Sequence, residues 1–193
     1  MARKGAVLSS AHGFFGVDTQ SQATAPSVGE IIINEIMMDP AGVADTSGEW
    51  FELYNVTGKQ LDIEGLVVRS ASQFVRFGNS GAGVIVQPGE YFVLCRNGDP
   101  ALNGQVVGDY PYGSGISLPN SGGSLTIAGF GTNGMDGIAI DTAHWTSSVP
   151  GKSWSLKTSY RNAVDNDSAG NWYWAAVPYS ASDMGTPGAA NEQ

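Results

Sequence analysis

From residue 30 onward, apolar positions recur in short runs, some alternating with polar residues and some continuous. No window of ten or more residues sustains a helical period. The runs predict β-strands near residues 30–37, 49–55, 65–69, 73–77, 83–87, 91–96, 124–128, 138–145 and 153–156. Turn chemistry separates them, at Asp39-Pro40, Thr57-Gly58, Pro88-Gly89, Asn97 to Pro100, Pro119 to Gly123 and Pro150-Gly151. Within residues 48–55, Phe51 and Leu53 are expected to face a core, with Trp50, Glu52 and Tyr54 on the opposite face. Likewise Tyr91, Val93 and Cys95 share one face of a strand, and Phe92 and Leu94 the other. Pro88-Gly89 fits the centre of a type II turn, and Gly122 and Gly123 suggest a tight hairpin before Leu125 and Ile127. Pro187, flanked by Gly185 and Gly188, excludes the end of the chain from regular structure. Many short strands at this spacing, without an internal repeat, make one all-β domain, a sandwich or a barrel.

The first 29 residues differ from the rest. MARKG is basic, AVLSSAHGFFGV is mildly apolar and DTQSQATAPSVG is polar. That order is signal-like, but Ser9, Ser10, His12 and Gly13 interrupt the apolar stretch. An arm docking on a neighbouring subunit is the competing reading, with Ala6, Leu8, Phe14 and Phe15 as its apolar anchors. An unstructured tail is the third. The chain therefore divides into a segment 1–29 and a sandwich domain 30–193.

Composition narrows the function. The chain has 193 residues, 41% of them hydrophobic, so a sizeable core is attainable. Gly, at 27 residues, is about twice its usual share, and only 14% of residues are charged. Nine basic against eighteen acidic residues give a net charge of −9, which repels a phosphate backbone and argues against nucleic acid as a partner. No apolar stretch approaches the roughly 18 residues a membrane span needs. The single cysteine, Cys95, rules out an internal disulfide and suits a small core hydrophobe.

Several motifs occur in order: INEI (33–36), GEWFELYN (48–55), LDIEGL (61–66), QPGEYFVL (87–94), SLPNSGGSLTI (117–127), GKSWSL (151–156), Asn171-Trp172 and GTPGAAN (185–191). Together they resemble the lamin tail domain, in its prokaryotic form more than in nuclear lamins. The resemblance implies an immunoglobulin-like β-sandwich with long loops and an irregular N-terminal arm. It also implies a non-enzymatic domain of surface or secreted proteins. Leu66 stands where that family usually has Trp. Lamin-like DNA binding is not carried over, because the basic surface it needs is missing.

Candidate chemistry is sparse. His12 and His144 are the only histidines, and no serine lies in a Gly-x-Ser-x-Gly elbow. Glu35, Glu49 and Glu52 could meet on neighbouring strands and serve glycoside hydrolysis. The resemblance opposes that reading, and pairing with Arg69 or Arg76, or exposure, is the simpler alternative. Asp39, Asp45 and Glu49 surround one loop, and DNDSAG (165–170) opens like a Ca²⁺ loop, so Asp165 and Asp167 are candidate ligands. Ala169 takes the place of the third oxygen donor, and Asp and Asn are also ordinary turn formers. Trp172, Trp174 and Tyr179 belong to a late aromatic cluster that either stacks on sugar rings or closes the end of the sandwich. The expected function is a structural or adhesive domain, extracellular, at a cell surface or in a virion, that self-assembles through its arm in a filament, surface layer or virus particle. A glycan-binding module is the alternative.

Overall fold

The computed structural model describes residues 22–78, 80–131 and 136–192. Its strands are β1 (Ile31–Met37), β2 (Trp50–Asn55), β3 (Leu61–Asp62), β4 (Val67–Ser70), β5 (Gln73–Arg76) and β6 (Ile85–Val86), then β7 (Tyr91–Cys95), β8 (Tyr110–Pro111), β9 (Gly123–Phe130), β10 (Asp136–Trp145), β11 (Trp154–Leu156) and β12 (Trp172–Trp174). All nine predicted strands are present. The short β3, β8 and β12 were not predicted, because two or three residues carry no readable alternation. One turn of helix, α1 (Asp45–Gly48), and 3₁₀ turns at Thr158–Tyr160, Asp165–Asp167 and Ala169–Asn171 fill the connections.

A six-stranded sheet in the order β12-β11-β1-β2-β7-β8 faces a four-stranded sheet in the order β10-β9-β4-β5, and β3 pairs with β6 alone. Between the large sheets lies a core that includes Ile33, Ile36, Phe51, Leu53, Leu94, Leu125 and Ile127. The far face of the six-stranded sheet is covered as well. There Met37, Trp50, Val93, Cys95 and Val106 form a second buried cluster, against which Tyr179 packs. Both central strands thus follow the expected alternation, but neither leaves a face in water. The Pro88-Gly89 turn is as expected, with Gly89 at φ +71° and Glu90 N–H donating to Gln87 O at 3.1 Å. Pro119 to Gly122 instead forms a turn that lays the chain against Thr146, and the hairpin partner of β9 is β10, downstream.

A bulge in β1 organises the sandwich. Ile33 lies opposite Leu53 and Glu35 opposite Glu52, so Asn34 is an extra residue on β1. Without it, Ile33 and Glu35 would share a face. With it, Ile33 faces the core while Asn34 and Glu35 are turned to the far side. A bulge leaves a main-chain group without its ladder partner, and here Asp141 of β10 accepts the Ile33 N–H at 2.7 Å. The same carboxylate accepts both bonds of the Asn166 amide, at 2.8 and 3.0 Å, which ties the Asp165–Asp167 turn to the four-stranded sheet.

Burial pushes the Asp141 carboxyl up to about 6 from 3.8, outweighing these donors. The folded chain therefore holds this proton more tightly than the unfolded chain does. The stability it contributes is complete below about pH 4 and is lost as pH rises through about 6. Asp141→Asn keeps an acceptor for Ile33 N–H and cannot ionise. Its stability relative to the native chain, measured by urea unfolding, is expected to rise steadily from pH 4 to pH 7. A constant difference across that range would refute the assignment.

Candidate functional site

The three glutamates that sequence reading grouped as possible catalytic acids are all buried. Glu35 and Glu52 sit directly opposite each other on the far face of β1 and β2, each with no exposed surface. Glu35 accepts hydrogen bonds from the Ser153 hydroxyl at 2.5 Å, the Ser155 hydroxyl at 3.0 Å, and both the N–H and the hydroxyl of Thr186 at 3.0 Å. Glu52 accepts from the Asn34 amide and from Gly188 N–H, both at 2.7 Å. Burial pushes both carboxyls above their ordinary range. The charge of Glu35 adds to the rise at Glu52.

The closing segment GTPGAAN forms the roof over this pair, and each of its residue types has a reason. A side chain at Gly185 would bring a carbon within 2.8 Å of Ser153 Oγ and 2.9 Å of Glu35 Oε1, so only glycine passes there. Thr186 to Ala189 is a type II turn, with Ala189 N–H donating to Thr186 O at 2.9 Å and Gly188 at φ +81°. That turn aims the Thr186 and Gly188 N–H groups at the two carboxyls. Asn191 then bridges β1 and β11 beyond their ladder, donating to Asn34 O at 2.9 Å and Leu156 O at 2.7 Å. Upstream, the buried Asp183 carboxylate accepts Ala41 N–H at 2.6 Å. Tyr179 accepts from Trp50 Nε1 at 3.1 Å.

Glu49 serves the neighbouring loops. It pairs with Arg96 at 2.6 Å and accepts Leu118 N–H at 3.1 Å. Burial still pushes its carboxyl up despite the guanidinium. The partner is thus Arg96 and not Arg69 or Arg76; Arg76 lies over the Phe130 ring, 4.1 Å from its centroid. All three acids are sealed by protein donors, and none opens to a cleft where a sugar and a water could approach. They act as structural anchors in this fold.

The remaining candidates fall in separate places. Asp39 accepts from the Ser148 hydroxyl at 2.6 Å, and Asp45 from the Asn120 amide at 3.0 Å. Asp165 accepts from the Asn162 amide at 2.7 Å, and Asp167 is exposed. Among the described residues, no three His, Cys, Asp or Glu side chains are grouped so as to hold a metal ion. Ala6, Leu8, Phe14 and Phe15 lie outside the described residues. His144 is exposed at the end of β10. Trp172 is a core residue, 4% exposed, with its N–H donated to Asn166 O at 2.7 Å. Trp154 stacks on it at 6.1 Å and meets Trp174 at 4.7 Å, and its indole reaches across to His144 O at 3.2 Å. The three rings close one side of the sandwich, so Trp172 is not part of an open platform as the glycan reading required.

Sequence reading missed Asn34, Asp141, Ser153, Thr186, Asp183 and Asn191 as partners. Two signals were present: polar Asn34-Glu35 inside the apolar run IIINEIMM, and the turn motif GTPGAAN at the chain end. Neither says which residues meet.

Two packed, mainly antiparallel sheets with a bulged, doubly covered central strand define an immunoglobulin-like β-sandwich. Residues 24–169 match the family model described as Lamin Tail Domain, and the chain belongs to that family. The matched span ends before β12 and the GTPGAAN roof. No curated protein and no solved structure matches the chain.

Truncating Trp172 removes a buried indole and orphans the Asn166 carbonyl. Trp172→Ala is expected to cost about 3–5 kcal/mol of stability, read as a lowered urea midpoint. A folded variant of native stability would restore Trp172 as a surface residue.

Proposed function

We propose that this chain is a non-catalytic structural or adhesive module that associates with other copies of itself through its N-terminal segment. The observation that carries this reading is the sealing of Glu35, Glu49 and Glu52. The carboxyls best placed for chemistry are spent on holding strands and the chain end together. A domain built this way is a rigid body that acts through its surface. Family membership supports the same conclusion, since the lamin tail domain is an immunoglobulin-like fold and not a catalytic one. The apolar stretch around Ala6, Leu8, Phe14 and Phe15 supplies the contact that such a body lacks in its own core. Assembly of this kind suits a filament, surface layer or virus particle.

A glycan-binding role is the second reading. Its support is the half-buried pair Trp154 and Trp174, whose rings lie 4.7 Å apart. Ca²⁺ bound through Asp165 and Asp167 would stiffen the turn whose Asn166 carbonyl accepts the Trp172 indole N–H.

The mass in solution separates these readings. The full chain is expected to form oligomers, with and without Ca²⁺, and a chain beginning at Gln22 is expected to be monomeric. If both are monomers, self-association through the segment is wrong.

A further inference from the structure

Most large apolar side chains left exposed are scattered, as on any protein. Three are not. Val28, Phe130 and Ile138, which are 63%, 42% and 78% exposed, converge on one groove of about 460 Å³. Its walls are Ala25, Pro26, Leu66 and Ile140, with Gly129 and Gly137 keeping it open. The groove lies against β10, the outermost strand of its sheet, and Gly29 N–H donates to Ile140 O at 3.0 Å on its inner side. An apolar groove beside a sheet edge has the composition of a site for an extended apolar segment.

We propose that this groove receives the apolar stretch Ala6–Val17 of a second copy of the chain. The inference rests on the self-association proposed above and names its acceptor. Three observations select this occupant. The stretch AVLSSAHGFFGV is apolar enough to fill the groove and lies just outside the described residues. The stretch itself carries no Asp, Glu, Lys or Arg, but the segment 1–21 that contains it is opposite in charge to the body. Taking Arg3, Lys4 and Asp18 from nine basic and eighteen acidic residues leaves seven against seventeen, so a weakly basic segment faces an acidic domain. The third observation is reach. Thr24 is fixed beside Leu61, with Asp62 N–H donating to Thr24 O at 2.9 Å, and only after it does the chain form the groove wall. The polar link from Val17 to Thr24 spans at most about 24 Å, enough to reach an adjacent domain.

The test uses the full chain. Ile138→Arg places an unpaired charge in the groove at an exposed position, so the fold tolerates it while docking does not. Sedimentation is expected to show oligomers for the native chain, and association weakened by about tenfold or more for both Ile138→Arg and Phe14→Ser/Phe15→Ser. In a mixture of one copy carrying Phe15→Cys and another carrying Ile138→Cys, mild oxidation is expected to give a disulfide-linked heterodimer, since native Cys95 is buried. If Phe14→Ser/Phe15→Ser is monomeric while Ile138→Arg assembles like the native chain and no heterodimer forms, the segment docks elsewhere. The self-association reading then stands and this inference fails. A monomeric native chain would end both.

Discussion

Two carboxyls face each other across the two central strands. Glu35 and Glu52 are directly opposed on the far face of the six-stranded sheet, both wholly buried. Burying one carboxylate is costly and burying two like charges side by side is more so, which the pair meets by holding on to protons and by collecting donors. Those donors come from three separated parts of the chain: Asn34, Ser153 with Ser155, and Thr186 with Gly188. Breaking either Glu52 contact leaves a buried acceptor unmet, and one of the two comes from Gly188, so the pair makes the closing segment part of the fold and not a tail.

The bulge at Asn34 is what makes the arrangement possible. One inserted residue turns Glu35 away from the core that Ile33 and Ile36 occupy. It is supported from both faces, by Asp141 on Ile33 N–H inside and by Asn191 on Asn34 O outside. A polar network spanning both sheets therefore passes through a single point on β1. Such a network specifies register, because a slip of one residue would put Glu35 into the apolar core.

The alternation of Phe51 and Leu53 against Trp50 and Glu52, the Pro88-Gly89 turn and the nine longer strands were legible in the sequence, since each depends on local period or turn chemistry. The family was legible for the same reason: its motifs are strands and turns in order. The bulge was not, because INEI reads equally well as regular alternation. Nor was the partner of the glutamates. Arginine was the expected counter-charge, but hydroxyls and main-chain N–H groups from more than 100 residues away took that place at Glu35. Trp172 could be read as platform or plug, and only the position of β12 beside β11 decides that it is plug. β12 and the roof lie beyond the matched family span.

The central claim is that Glu35 and Glu52 form a proton-holding pair that fastens the chain end to the sandwich. Carbon-detected NMR of the glutamate side-chain carboxyls across pH 3 to 9 reads it directly. The account predicts that both signals titrate above the ordinary glutamate range. It also predicts that the Thr186 and Gly188 amide signals move with them. Two carboxyls titrating near 4.5 with those amides unmoved would contradict it.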